Sequence, residues 1–236
     1  MNEWDERAEY YRDSPTHAAG DDLDQVVEWC EPRSGLAALD VATGGGHVAR
    51  RLRERGCVVT SCDAAAGMKP DVVCPAEELP FEDESFDVVA CRVALHHLSD
   101  AAKAVRAMAR VSRRLVVLED TLWVDERVQE AEAVRDPTHV RHYRRAEVLA
   151  MLAAAGLEVV GEATFFKRHQ MDDWLGATGC AGEDARRVRE LLAHVSEPDG
   201  DGWTDAKIVL KAAKTAAAGP AAAAAARQML RRTPST

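Results

Sequence analysis

Residues 40–47, Asp-Val-Ala-Thr-Gly-Gly-Gly-His, form the segment whose composition most clearly suits ligand binding. The segment follows a short apolar run and precedes a helical pattern. Glycines let a backbone approach a ligand closely, and a helix N-terminus offers unpaired N–H groups. Asp40 would repel a pyrophosphate, and Ala49 replaces the third glycine of the dinucleotide-binding pattern. The loop therefore suits a ligand with a cationic amine better than a nicotinamide dinucleotide.

A second chemical signal is Asp63, at the end of the predicted strand over residues 58–62. A carboxylate in this position can accept hydrogen bonds from two vicinal ribose hydroxyls. The alternative is that Asp63 caps the following helix. Together with the glycine loop, it indicates a nucleoside ligand.

Histidines are suited to removing a proton from an acceptor at neutral pH. His96 and His97 are adjacent, so we expect at most one of them to face a pocket. His139 and His142 have a spacing found in metal sites if they share a helix face, but no carboxylate or thiol completes the set, so we expect no metal. Core or surface packing is the alternative role for each tyrosine. The catalytic candidates are His96, His139, Tyr143 and His17, with Tyr10 and Tyr11 as further orienting groups.

Strand patterns alternate with helical patterns along the chain, which predicts an α/β fold with a mostly parallel sheet. Ligands of such sheets bind at the carboxyl ends of the strands, which is where the two motifs above fall. Seven strands are predicted, at 36–41, 58–62, 72–74, 86–91, 115–119, 157–165 and 203–211. The predicted helices cover 21–30, 48–55, 101–111, 145–155, 171–175 and 183–195.

Composition limits the class of protein. The net charge of −10 over 236 residues disfavours nucleic acid and anionic membranes as partners. No apolar run is long enough to span a bilayer, and the acidic N-terminus does not resemble a signal peptide, so we expect a cytoplasmic protein. Six cysteines without a CxxC pair predict neither a zinc site nor disulfides. We expect one domain over residues 1–212, with a lid at 1–30, and an Ala-rich low-complexity tail at 213–236.

Several segments, in their order along the chain, give the sequence a family resemblance. It resembles the class I S-adenosylmethionine (SAM)-dependent methyltransferases, most closely the ubiquinone/menaquinone-biosynthesis-type branch (methyltransferase type 11). The segment at 39–47 is similar to the first motif of that branch. Further similar segments are Glu-Glu-Leu-Pro-Phe at 77–81, Ser-Phe-Asp-Val-Val at 85–89, residues 91–98, Asp-Pro-Thr-His-Val-Arg-His-Tyr at 136–143, and residues 14–18.

This resemblance implies a Rossmann-like sandwich whose last strand is antiparallel, and SAM as cofactor, with S-adenosylhomocysteine as product. It implies that Asp40 and the Gly44–Gly46 backbone hold the methionine part, that Asp63 binds the ribose, and that Arg92 and Val93 line the sulfonium end. The expected activity is methyl transfer to a small-molecule acceptor in biosynthesis. The full implied cofactor set is Asp40, Ala42, Gly44, Gly45, Gly46, Asp63, Ala64, Met68, Ala76, Glu77, Arg92 and Val93.

Two departures from the family pattern keep other functions open. Too few residues separate Asp63 from the run at 72–74 for a normal crossover helix. We therefore expect bare sheet surface, covered by the tail or by a second subunit in a homodimer. Pro75 stands where the family has an acid that bonds the adenine. The alternatives are a repurposed fold that catalyses a cyclisation, elimination or decarboxylation, and a non-catalytic binding subunit.

Overall fold

A computed structural model describes residues 3–13 and 15–215. Seven strands form one sheet: β1 (Ala37–Val41), β2 (Val58–Asp63), β3 (Val72–Val73), β4 (Phe86–Arg92), β5 (Ser112–Thr121), β6 (Leu157–Gln170) and β7 (Gly202–Lys214). Their order is β3-β2-β1-β4-β5-β7-β6. β7 is antiparallel to both of its neighbours, and the other pairings are parallel. The predicted sheet, with an antiparallel last strand, is confirmed.

Helices cover both faces of this sheet. They are α1 (Glu3–Asp13), α2 (Pro15–Ala18), α3 (Asp21–Trp29), α4 (His47–Glu54), α5 (Ala101–Val111), α6 (Glu126–Arg135), α7 (Arg145–Ala154), α8 (Met171–Gly176) and α9 (Gly182–Leu192). Two short 3-10 helices lie at Ala66–Met68 and Leu95–His97. No helix in the described part of the chain is long and apolar enough to cross a membrane.

Two apolar clusters hold the helices on the sheet. On one face, Leu23, Val26 and Val27 of α3 pack with Leu52 of α4 against the central strands. On the other face, the cluster includes apolar side chains of α5 and α7, such as Met108. Burial of these side chains fixes the register of the strands, so the strand ends that carry polar residues meet at one edge of the sheet.

A third cluster lies apart from the two faces of the sheet. It joins α6, α8 and α9 to the N-terminal end of β7 through Trp174, Leu192 and Trp203. β6 and β7 are longer than predicted, and their paired ends at residues 168–170 and 202–204 carry this cluster. The helix α6 is absent from the sequence-based expectation because it has no clear apolar stripe: it buries Val128, Ala131 and the charged Glu132.

The truncated crossover after β2 is confirmed, since only the turn Ala66–Met68 separates β2 from β3. The described structure shows that α1 packs on this turn. Asp5 accepts a hydrogen bond from the Gly67 N–H at 2.6 Å, and Arg12 donates to the Gly67 carbonyl at 2.6 Å. Val73 on the edge strand stays 57% exposed. Residues 216–236 of the predicted tail lie outside the described residues, and β7 extends to Lys214, past the predicted domain boundary at 212.

Candidate active site

The glycine loop after β1 has a geometry that side chains would disturb. Gly44 and Gly46 have φ values of 50° and 73°, in the left-handed region that favours glycine. A Cβ on Gly45 would lie 2.4 Å from the Tyr11 carbonyl oxygen of α1. The loop backbone is therefore open to a ligand, and α1 closes over it.

Asp40 organises this loop from below. Its Oδ2 accepts hydrogen bonds from the Thr43 hydroxyl at 2.6 Å and from the Ala49 N–H at 3.0 Å. The side chain is buried, and burial raises the pKa of Asp40 to about 6. A buried carboxylate is stabilised by a nearby cation, so the loop favours a ligand with a positively charged group.

Asp63 lies at the carboxyl end of β2, beside the loop. Its Oδ2 accepts from the Gly44 N–H at 2.9 Å, and its Oδ1 accepts from the Ala65 N–H at 2.9 Å. Burial raises the pKa of Asp63, and backbone hydrogen bonds oppose that rise. Each carboxylate oxygen has a second lone pair, which is available to a pair of ribose hydroxyls.

These residues line one large cavity of about 620 Å³. Gly46 is the one member of the predicted cofactor set that does not line it, because Gly46 is the N-cap of α4. Pro75 lies on the wall beside Glu77, whose Oε1 accepts from the Ser99 hydroxyl at 3.0 Å. The predicted cofactor residues on the wall are Asp40, Ala42, Gly44, Gly45, Asp63, Ala64, Met68, Ala76, Glu77, Arg92 and Val93.

Arg92 reaches the cavity wall, but its guanidinium is committed to protein partners. It donates to Glu119 at 2.7 Å, to Asp22 at 2.5 Å and to the His17 carbonyl at 3.1 Å. Burial raises the pKa of Glu119 to about 7, although the charge of Arg92 opposes this rise. Arg92 therefore connects the N-terminal segment to the sheet at the cavity.

His96 and Asp120 form a buried pair beneath the cavity wall. The Nδ1 of His96 lies 2.5 Å from Oδ1 of Asp120, and the His96 backbone N–H donates to Oδ2 of Asp120 at 3.0 Å. Burial would raise the pKa of Asp120, but the charge and hydrogen bond of His96 hold this pKa down at about 2. The carboxylate thus fixes the orientation of the His96 ring; in the neutral form of such a ring, Nδ1 donates to Asp120 and Nε2 carries the lone pair.

The expectation that only one ring of the adjacent histidines faces the cavity is wrong. Both His96 and His97 line it, with their ring centroids 4.0 Å apart, because a 3-10 turn changes the direction of the chain there. Burial lowers the pKa of His97 to about 3. Trp4 of α1 packs edge-on against His97 at 4.6 Å.

His139 and His142 lie beside His96, in the loop between α6 and α7 and not on a helix. The Gln129 Nε2 lies 2.6 Å from Nε2 of His139, and the Gln129 Oε1 accepts from the His142 N–H at 2.8 Å. His142 lines the cavity and His139 does not. Burial lowers the pKa of His139 to about 3 and that of His142 to about 4.

The remaining catalytic candidates lie in different surroundings. His17 lines the cavity next to the lid, and burial lowers its pKa to about 2. Tyr10 and Tyr11 also line the cavity. Tyr143 does not: it packs against the core, and the Arg141 guanidinium lies 4.5 Å from the centre of its ring.

Several further residues of the cavity wall were not predicted from the sequence. Lys207 of β7 is buried there and donates to the Thr121 hydroxyl at 3.2 Å. The ring of Trp174 lies under the Arg135 guanidinium at 4.1 Å. Asp120 had a usable signal, since it is an acid at the carboxyl end of a predicted buried strand. The others are brought together by long-range folding, which no local motif reports.

Comparison with known proteins shows the family of this chain. Residues 39–117 match the family model described as a methyltransferase domain. The chain is 31% identical over 220 residues to the uncharacterized methyltransferase YcgJ of Bacillus subtilis, covering 82% of this chain and 85% of YcgJ. A solved structure from Bacillus halodurans, assigned as a methyltransferase, superposes with a TM-score of 0.73 at 27% identity, covering 84% of this chain and all of its own.

A shorter match is to the ubiquinone/menaquinone biosynthesis C-methyltransferase UbiE of Paracoccus denitrificans. The two are 35% identical over 115 residues, which cover 40% of this chain and 46% of UbiE. The fold, the glycine loop and the carboxylates of Asp40 and Asp63 are those of a class I methyltransferase. The chain belongs to the SAM-dependent methyltransferase family and is an enzyme of that family.

The residues present fit SAM. A cationic ligand offsets the buried charges of Asp40 and Asp63, and the glycine loop leaves room for the methionine backbone. When bound, SAM supplies an activated methyl group. The protein then has to position the acceptor in line with that group and receive any proton that the acceptor loses.

Proposed function

We propose that this enzyme methylates a hydroxyl group of a small organic acceptor, with His96 as general base. The observation that carries the proposal is the His96–Asp120 pair at the cavity wall. A hydroxyl holds its proton at neutral pH, so the chemistry gains from a base at hydrogen-bond distance. The Nε2 of His96 is the atom that would receive the proton, and Asp120 stabilises the cation that forms.

The aromatic residues of the second wall support a cyclic acceptor. Trp174 lies 5.0 Å from Trp203 and 6.0 Å from His169, measured between ring centroids. The rings of Trp174 and His169 line the cavity, where an aromatic ring of an acceptor could contact them. The buried ammonium of Lys207, near the same wall, would stabilise an oxygen that becomes negative as it loses its proton. We therefore propose a phenol or a related ring hydroxyl as acceptor class.

The test is transfer of a labelled methyl group from SAM to a panel of hydroxylated ring compounds. We expect at least one acceptor to be methylated on oxygen. His96→Gln should then lower kcat by about 10²–10⁴-fold. It should leave the dissociation constant of SAM unchanged.

His194→Gln is the matched control, since His194 is an exposed histidine bonded to Asp125 outside the cavity. It should keep full activity. Full activity of the His96→Gln enzyme would refute the base. Methylation confined to carbon or nitrogen would refute the acceptor class.

The proposal also covers the location, the partners and the oligomeric state of the enzyme. We propose that the enzyme works in the cytoplasm on a small molecule and does not bind nucleic acid, supported by its acidic charge and six free thiols. We also propose a homodimer through the sheet surface near Val73, which is exposed where the crossover is short. Light scattering of the full chain should give twice the monomer mass, and Val73→Lys should restore the monomer.

A further inference from the structure

Three buried histidines bring their ring nitrogens together at one end of the cavity. They are His96, in the 3-10 turn after β4, and His139 and His142, in the loop between α6 and α7. One nitrogen from each ring lies within 4.8 Å of the other two. The residues are 7%, 9% and 3% exposed, so this is an interior arrangement and not a surface coincidence.

The surroundings leave the imidazoles able to act as ligands. No hydrogen bond joins the three rings to one another, and the ring of His142 has no hydrogen-bond partner among the described residues. His142 lines the cavity, so an ion in the cavity could bind the ring. Each neutral imidazole carries one lone pair, and on His139 Nε2 it accepts from the Gln129 amide, a hydrogen bond that a bound metal ion would displace.

Acidic groups around the histidines would offset the charge of a cation. Asp120 holds Nδ1 of His96 at 2.5 Å, which leaves Nε2 as the nitrogen of this ring that could bind an ion. A carboxylate behind a histidine in this way orients metal ligands and increases their basicity. Glu132, buried beside the loop, lies near all three histidines and is paired with Arg135 at 3.0 Å.

We propose that His96, His139 and His142 form a binding site for a divalent transition metal of the zinc class. Neutral imidazoles are preferred ligands of such ions, and zinc sites with three protein ligands keep a fourth position for water or another small ligand. The open position faces the cavity, because His96 and His142 line it. This site is additional to the proposed function and does not require it.

The metal and the proton compete for the same lone pair of His96. A zinc ion on Nε2 blocks this nitrogen from receiving a proton from an acceptor hydroxyl. Zinc therefore inhibits methyl transfer, and a chelator restores it. The cluster would make the activity of the enzyme depend on the concentration of free zinc.

Substitution of Gln129 provides a way to raise the affinity of the histidine site for a metal ion. Its amide nitrogen faces Nε2 of His139 at 2.6 Å, and its amide oxygen accepts from the His142 N–H. A donating amide keeps the lone pair of His139 Nε2 occupied and places the proton on Nδ1. In Gln129→Glu, one carboxylate oxygen still accepts from His142, and the other accepts from His139 or binds the ion directly. The variant therefore frees His139 as a ligand and adds a negative charge.

The experiment is calorimetric titration of the full chain with Zn²⁺, and absorption spectroscopy with Co²⁺, whose visible bands report tetrahedral coordination. We expect one ion per chain. His139→Gln and His142→Gln should each weaken binding at least tenfold, and Gln129→Glu should strengthen it by about tenfold. His169→Gln, a cavity histidine outside the cluster, is the control, and unchanged SAM binding shows that each variant is folded.

Two results would overturn the proposal: no binding at one equivalent, or binding that survives both His139→Gln and His142→Gln. The result is independent of the proposed methylation, since metal binding is measured without an acceptor. If zinc binds as expected but stimulates methyl transfer, the metal site stands and the role of His96 as general base is refuted.

Discussion

The Nε of Arg92 donates to Oε2 of Glu119 at 2.7 Å, across the β4–β5 pair, where both side chains are almost fully buried. The same guanidinium binds Asp22 at the start of α3 and the carbonyl of His17. One cation therefore compensates two buried acids and joins the N-terminal segment to the sheet. Oε1 of Glu119 has no hydrogen-bond partner in the described structure, so this carboxylate depends on Arg92.

Arg92→Met should destabilise the protein by about 3–5 kcal/mol, because it removes the cation that is hydrogen-bonded to two buried acids. Urea unfolding checks this. The control is Arg53→Met, which removes an exposed pair with Asp71 and should cost about 0–1 kcal/mol. Adding Glu119→Gln to Arg92→Met should recover part of the loss. An equal loss of stability in Arg92→Met and in Arg53→Met would contradict this prediction.

SAM affinity should fall as the pH drops through about 6. The pKa of Asp40 is raised to about 6 by burial, so its carboxylate is charged above that pH and attracts the cationic ligand. Between pH 7 and pH 5 the affinity should fall about tenfold. Asp40→Asn retains an acceptor for Ala49 and should bind SAM weakly with a smaller dependence on pH. Methylthioadenosine, which lacks the charged amino acid, is the control ligand, and an equal dependence for it would refute the role of Asp40.

Gly45→Ala should weaken both SAM binding and the closure of α1. The new Cβ would meet the Tyr11 carbonyl at 2.4 Å and the His47 ring at 2.6 Å, so the helix must move. Overpacking of this kind costs about 1–3 kcal/mol. We expect a higher dissociation constant for SAM and faster tryptic cleavage at Arg12. Gly176→Ala has open space around its Cβ and should change neither, whereas unaltered cleavage in Gly45→Ala would argue against a close contact with α1.

The free energy of unfolding should decrease in mild acid. Burial holds the pKa of His139 at about 3 and of His142 at about 4, below the value of 6.5 in an unfolded chain. The unfolded state therefore binds more protons, and the stability from these two residues is lost as the pH falls from 6.5 through 4. Each contributes a slope of about 1.4 kcal/mol per pH unit in this range.

Urea unfolding as a function of pH measures this slope. The double variant His139→Gln, His142→Gln should have a smaller slope than the unmodified protein, and the difference should correspond to about two protons. Measurements above pH 8, where histidines no longer titrate, provide the reference for each protein. A double variant with the original slope would show that these histidines are protonated in the folded protein.

The residues proposed to hold the cofactor lie in short segments whose determinants are local, so a sequence can indicate them. The glycine loop and Asp63 each lie next to a strand, and a strand followed by glycines has few other uses. Helix α5 matches its predicted bounds of 101–111, since its apolar residues repeat at helical spacing. Helix α6 was not predicted because it has no clear apolar stripe. It buries Glu132, which pairs with Arg135, whereas a charged residue in a sequence is normally expected to be exposed.

The acceptor half could not be read in the same way. His96 meets His139 only after β4, β5 and α6 have packed, and Lys207 reaches Thr121 from the far end of the chain. Tyr143 was predicted to orient an acceptor, with core or surface packing as the alternative. The structure turns its ring towards the core, where it packs beside the Arg141 guanidinium.

The short crossover after β2 gives helix α1 contacts with two neighbouring parts of the site. Trp4 and Tyr11 of α1 line the cavity, and the same helix is hydrogen-bonded to Gly67 in the turn after β2. A single helix therefore forms part of the cavity wall and also holds this turn. A displacement of α1 would break both sets of contacts, so it would uncover the cavity and the turn together.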